Sequence, residues 1–257
     1  MSGIKFVYDN YIDQSLPSLT AGSANSQFPL SNILNDSTVI KFRSQTNTCT
    51  VLIDLQQTRT IDTIAIANDA VDQIGLTSVI AKTSLTTDFT SSVARPITVD
   101  PEQGLGFVEF TNESKRYVQL EIVGNGTYCE LGKVIVGQSL HLSQQSLSID
   151  SFKYGYIEKS NVQNNDYGQK FINKRNKQKF ISGQIKYCNQ LEQSALDDMF
   201  NFTGRSLPLF MILDPSSEAI TDGVNKLSIY GYLDDMPDWS ADGGQHYSTS
   251  IRLVQVI

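Results

Sequence analysis

Residues 50–69, TVLIDLQQTRTIDTIAIAND, alternate apolar and polar positions twice. Val51, Ile53 and Leu55 come first, and Ile61, Ile64 and Ile66 follow after a polar break at 56–60. Period-two alternation, rich in β-branched residues and without a helix cap, predicts a strand, a turn and a second strand. The same grammar recurs at 76–83, 93–99, 105–110, 116–123 and 130–136, with no amphipathic helix between the segments. Short strands at this spacing predict an antiparallel β-sandwich over residues 1–138. Within it, Phe28, Leu30, Ile33 and Leu34 cluster around Pro29 and predict a compact loop containing one helical turn.

The pattern changes after GQSLHLSQQS, a polar stretch that reads as a linker. Strands are predicted at 151–158, with Phe152, Tyr154 and Tyr156 on one face, and at 178–188. In NQLEQSALDDMFNFTGR, Leu191, Ala195, Leu196, Met199 and Phe200 recur at helical spacing, and Gly204 stands where a helix C-cap belongs. Apolar segments then return in SLPLFMILDP, KLSIYGYLDD and HYSTSIRLVQVI, where Tyr247, Thr249, Ile251 and Leu253 alternate with polar partners. Residues 139–257 are therefore predicted to be an α+β domain: an antiparallel sheet covered by one helix. The whole chain is expected to be mainly β.

Composition narrows the function classes. In 257 residues, 40% hydrophobic content supports a packed core, and 18% charged content argues against disorder. The net charge of −7 disfavours a general nucleic-acid binder, whose affinity comes from excess Lys and Arg. No apolar run approaches the length of a membrane span, and the N-terminal residues read as no signal peptide. Cys49, Cys129 and Cys188 are odd in number, widely spaced and without CxxC pairing, so buried free thiols are expected rather than a metal site. No motif for nucleophilic, phosphate-binding or zinc-hydrolase chemistry occurs, so no cofactor and no enzymatic activity are expected.

Two charged segments stand out. KFINKRNKQK carries Lys170, Lys174, Arg175, Lys177 and Lys179. It reads as a basic hairpin that meets the acidic face of a neighbouring chain, as a solvated tip, or as a nucleic-acid contact short of stacking aromatics. YLDDMPDWSADGG carries Asp234, Asp235, Asp238 and Asp242 around Trp239, the only tryptophan. It reads as a docking loop for the basic hairpin of an identical subunit, as a solvated loop, or as a calcium loop without the EF-hand ligand order.

The opening stretch also resembles the central signature of discoidin-like, galactose-binding-type β-sandwiches, a jelly-roll architecture. The shared features are an apolar strand ending Asp-Leu, a polar turn and Ile-x-x-Ile-x-Ile-x-Asn. QFPLSNILNDSTVIKFRS and KRYVQLEIVGNGTYCELGKVIVG resemble the flanking loop and closing strands, so the likeness covers residues 22–137. Where the family usually has a Trp, this chain has Lys41, Phe42 and Arg43. The resemblance implies that glycan recognition would fall to loop residues Asn32, Asn35, Asp36, Asn68, Asp69 and Asn125, with Phe42 and Tyr128 as nearby aromatics. Residues 178–216 resemble a pattern of bacteriophage distal-tail and minor-tail virion proteins. The expectation is a structural component of a phage tail or baseplate, located in the virion and made in the host cytoplasm. Its partners would be copies of itself in a ring and neighbouring tail proteins. The alternative is a carbohydrate-binding module or adhesin that recognises a host surface glycan.

Overall fold

The computed structural model describes residues 3–14, 18–68, 76–100, 103–124, 126–143, 152–164, 169–213, 227–241 and 246–257. The first half runs through β1 (Ile4–Val7), a helical turn α1 (Tyr11–Gln14), β2 (Ser18–Ala21), a 3-10 turn at Leu30–Leu34, and β3 (Phe42–Arg43). It continues through β4 (Thr48–Ala67), β5 (Leu76–Ser84), β6 (Arg95–Val99), β7 (Leu105–Gly124), β8 (Glu130–Leu131) and β9 (Lys133–Gly137). The second half contains β10 (Leu140–His141), β11 (Lys153–Ile157), β12 (Asn161–Asn164), β13 (Lys170–Asn173) and β14 (Gln178–Cys188). The helix α2 (Gln190–Thr203) follows, then β15 (Leu209–Leu213), β16 (Ile229–Leu233), β17 (Trp239–Ala241) and β18 (Tyr247–Gln255). The architecture is mainly antiparallel β with one long helix, as the pattern predicts.

The polar break at 56–60 is not a turn. β4 pairs antiparallel with β7 along nearly its whole length, with register shifts between Asp54 and Arg59 and between Ile61 and Thr63. Gln56, at φ 66°, marks the first irregularity. The ladder survives because β7 is polar at the same height: Arg59 lies opposite Lys115, and Thr60 opposite Ser114. Two polar stretches in register stay solvated together and let the strand pair bend instead of ending. Across the second shift the buried set passes from Ile61 to Ile64 and Ile66, even though the residue number changes parity. The first core gathers these residues with Val51, Ile53, Leu55, Val118, Leu120, Ile122, Val134 and Val136. β4 and β7 therefore serve both layers of the sandwich, and β6 closes it by pairing with β5 and with β7.

The second sheet has the order β10-β1-β15-β16-β18-β14-β11, with β17 added against β18. Two pairings cross the expected boundary at 138/139. β1 pairs with β15 in the second sheet. Residues 140–141, read as linker, are an edge strand against β1, where the Gly3 amide donates to His141 Nε2 at 3.2 Å.

The helix α2 begins with a capping box, in which the Asn189 side chain accepts from the Glu192 amide while Glu192 reaches back to the Asn189 amide. It ends at Gly204, at φ 52°. Leu196, Met199 and Phe200 face the sheet, whereas Leu191 is 83% exposed and stands outside the apolar stripe expected to include it. Strand β15 is buried on both faces. Leu209, Met211 and Leu213 join the helix-side core, while Phe210 and Ile212 join a third cluster with Val7, Ala65, Ala67, Leu105, Ile135 and Tyr230. That cluster glues sandwich to sheet, which explains why LFMIL is apolar without alternation. The three cysteines are free and buried, as expected.

Candidate functional site

Where β1 leaves the second sheet, the chain crosses to the sandwich as Tyr8-Asp9-Asn10 and enters α1. Asn10 fixes this crossing: its Nδ2 donates to the Val134 carbonyl at 3.0 Å, and its Oδ1 accepts from the Val136 amide at 2.9 Å. The crossing forms one wall of a cleft of 440 Å³, lined by Tyr8, Asp9, Asp13, Gln14, Asp36 and Phe202 among others. Phe202 comes from the last turn of α2. Its ring lies edge-on to Tyr8, with centroids 5.7 Å apart, and remains 45% exposed. Leu207 and Pro208 complete the apolar side.

The polar side is acidic and partly dehydrated. Burial pushes the Asp9 carboxyl above its ordinary range, against the opposing pull of Arg59 and a hydrogen bond from Gln14. Burial likewise raises Asp13, against the pull of Lys133. Beneath the cleft the Lys133 ammonium is almost fully enclosed. It donates to Asp13 Oδ1 at 2.7 Å, to the Leu34 carbonyl at 3.0 Å and to Asp36 Oδ1 at 3.0 Å. From the second sheet, the Tyr230 hydroxyl donates to the same Asp36 oxygen at 3.3 Å, and burial next to Asp36 drives its phenol pKa far upward. A buried ammonium shared by two carboxylates holds both at the cleft wall, where Asp13 Oδ2 also accepts from Asn10 Nδ2 at 2.9 Å.

Among the residues expected to bind glycan, only Asp36 lines this cleft. Asn32 is spent internally, its Nδ2 donating to the Lys41 carbonyl at 2.8 Å. Asn35 accepts from the Ser37 amide in a tight local turn. Asn68 is buried and accepts from the Gly132 amide. Asp69 and Asn125 lie outside the described residues, as does Asp242. Phe42 is a core residue. Tyr128 and Phe28 flank the Arg43 guanidinium at 4.3 and 4.2 Å, and Arg43 is ion-paired to Glu130. The cation thus covers one face of each ring.

The basic segment divides. Lys170, Lys174, Arg175 and Lys177 are exposed. Lys179 is not on that surface: it is buried, donating to Gln103 Oε1 at 2.5 Å and to the Ser228 carbonyl at 3.0 Å, because β14 has by then entered the sheet. On the acidic segment, Asp234 pairs with Arg252 at 3.3 Å and Asp235 with Arg205 at 3.6 Å. The Asp238 carbonyl accepts from Thr249 Oγ1 at 2.9 Å. Trp239 anchors within the chain: its Nε1 donates to Asp197 Oδ1 at 2.5 Å, and its ring tilts against Phe200. The indole is thus held between loop and helix and stays half-buried.

The sequence reading missed Tyr8, Asp9, Asp13, Gln14 and Phe202. The string YDNYIDQ carries the right donors and rings, but its opposite wall lies nearly two hundred residues downstream.

No protein-family model matches the chain, and no curated relative matches it. Among solved structures, the family 32 carbohydrate-binding module of Clostridium perfringens NanJ, in complex with galactose, is similar at 15% identity. That match covers 50% of this chain and 97% of that one, with a TM-score of 0.41. A Streptococcus pneumoniae fucose binding module is similar at 15% identity over 50% of this chain and 94% of its own, with a TM-score of 0.41. Chitosan-binding module 1 of a Paenibacillus sp. IK-5 chitosanase/glucanase is similar at 16% identity over 51% and 99%, with a TM-score of 0.39. The expected resemblance of residues 178–216 to tail proteins has no counterpart in these three structures.

Proposed function

We propose that the chain is a non-catalytic binding protein that recognises a saccharide in the cleft between Tyr8 and Phe202. The observation that carries this reading is the composition of the cleft walls. An exposed aromatic ring lines one side, and two amides and three carboxylates line the other, in a volume of 440 Å³. A pyranose has the matching surfaces: a C–H face that packs on a ring, and hydroxyl groups that donate to planar acceptors. A concave site of a few hundred Å³ with few, convergent polar groups is the ordinary form of a small-ligand site. Asp13 and Asp36 are committed to Lys133, so their role is acceptance of hydroxyl protons in hydrogen bonds and not proton transfer. The test is titration calorimetry against a panel of mono- and disaccharides, with Asp9→Asn and Phe202→Ala as variants. Saturable binding that weakens at least about tenfold in each variant, with the sugar recovered intact, is the expected result. Binding that both variants leave unchanged would refute this site, and release of a cleaved product would refute the non-catalytic role.

A second reading is favoured by a different observation, the basic ribbon that leaves the second sheet. In that reading the chain is an assembly component, as expected of a phage tail or baseplate protein, and works through contacts with other polypeptides. The two readings are compatible, since the cleft and the ribbon involve different residues.

A further inference from the structure

We infer that the β12–β13 ribbon is the self-association element of this protein, and that its partner is the body of a second copy. The inference rests on the assembly reading and goes further by naming both contact and partner.

β11 and β14 pair from Lys153 opposite Ser182 to Ile157 opposite Gln178, and β12 and β13 then continue at almost the same register. The sheet's next strand, β18, is paired with β14 only as far as Phe180. From Glu158 onward the two strands therefore have no third strand beside them among the described residues. At about 3.3 Å per residue, an extended Glu158–Asn164 segment would span about 20 Å past the last pairing of β11 with β14. The Arg175 amide donates to Ser160 Oγ at 3.0 Å and ties the strands together at the base of the projection. An isolated two-stranded ribbon is marginal in water. A long one with bare edges is a template for pairing with another chain.

Exposed apolar side chains gather on this feature. Tyr154 and Tyr156 stand out from β11, which is itself an edge strand, and Ile172 stands out from β13; each is about 60% exposed. Charge identifies the occupant. Residues 152–177 carry six Lys and Arg against two Asp and Glu, a net +4, so the remaining 231 residues carry −11. Lys153, Lys159, Lys170, Lys174, Arg175 and Lys177 are all exposed. A positive arm on a strongly negative body attracts the body of another copy, while bodies alone repel one another. Such polarity favours a head-to-tail contact and discourages aggregation of bodies.

The experiment uses the full chain in multi-angle light scattering at about 50 mM and about 500 mM salt, a range over which screening of exposed charges becomes strong. The comparison is with the ribbon variant K170E/K174E/R175E/K177E. Expected is self-association of the wild type that weakens with salt and falls at least tenfold in the variant. Ile172→Cys, in a chain whose native thiols are buried, should then cross-link to the body of a second molecule in the wild-type background. An oligomer that the charge reversal leaves intact overturns the ribbon as the contact, while self-assembly itself stands. A monomer at both salt concentrations overturns the inference and self-assembly together. Cross-links confined to ribbon against ribbon overturn the body as the partner.

Discussion

Lys179 offers the sharpest test of how the two halves are joined. It sits on β14 at the base of the ribbon, 2% exposed, with its ammonium directed to Gln103 from the sandwich and to the Ser228 carbonyl. Burial depresses its pKa from 10.5 to about 8, partly offset by the charge of Asp100. Below pH 8 both folded and unfolded states hold the proton, and the cost of enclosing the charge is fully present. Between pH 8 and 10.5 the folded protein has released the proton while the unfolded chain still binds it, so stability rises with pH. The full difference corresponds to roughly 3 kcal/mol, of which about 2 kcal/mol falls between pH 7.5 and 9.5. Lys179→Met removes the titration and leaves a constant offset from the lost side-chain hydrogen bonds. The assay is urea unfolding at fixed ionic strength across that window, read as wild type minus variant. Taking the difference cancels the buried tyrosines and cysteines, whose raised pKa values pull stability downward as pH rises. The difference should climb by about 2 kcal/mol in favour of the wild type. A flat or falling difference would mean that the ammonium is solvated and that the junction is not closed around it.

Two further outcomes follow from the packing and the surface charges. Ile53→Ala, at a fully buried position of the first core, should destabilise by about 2–5 kcal/mol in chemical denaturation, because the bent β4–β7 pair leaves little room for collapse. Asp54 is held below the ordinary carboxylate range chiefly by hydrogen bonds from Arg116, at 2.7 and 2.8 Å. Its contribution is present above the unfolded pKa and disappears as pH falls through the folded one. Because the pair is solvent-screened, Asp54→Asn should remove no more than about 1 kcal/mol at neutral pH and flatten the acid limb of the stability curve.

Local pattern was sufficient for the elements whose causes are local. The helical spacing of Leu196, Met199 and Phe200, Gly204 at the helix end, and the alternation of Thr249, Ile251 and Leu253 each declare a structure within a few residues. The mainly β character and the free buried thiols followed from composition and spacing in the same way. The polar break at 56–60 misled because a single strand cannot reveal that its partner is polar at the same height; only the register with Lys115 and Ser114 shows that the strand bends and continues. Sheet membership of residues 4–7 was likewise invisible, since it depends on pairing with a strand some two hundred residues away. Lys179 read as one more cation in a basic run until the position of β14 in the sheet enclosed it, and the contacts of Trp239 with Asp197 and Phe200 exist only because α2 packs beside the loop. The cleft is the extreme case. Its amides and two of its three acids are near neighbours in sequence, but Asp36 joins them through Lys133, and Phe202 and Leu207 reach them only when the two sheets pack through Val7, Ala65, Phe210 and Ile135. The sequence by itself determined most of the strand segments, the helix and where charge accumulates, because those depend on neighbours a few residues apart. Tertiary packing alone decided which residues face one another across the cleft, because desolvation and convergence are properties of surfaces brought together from distant parts of the chain.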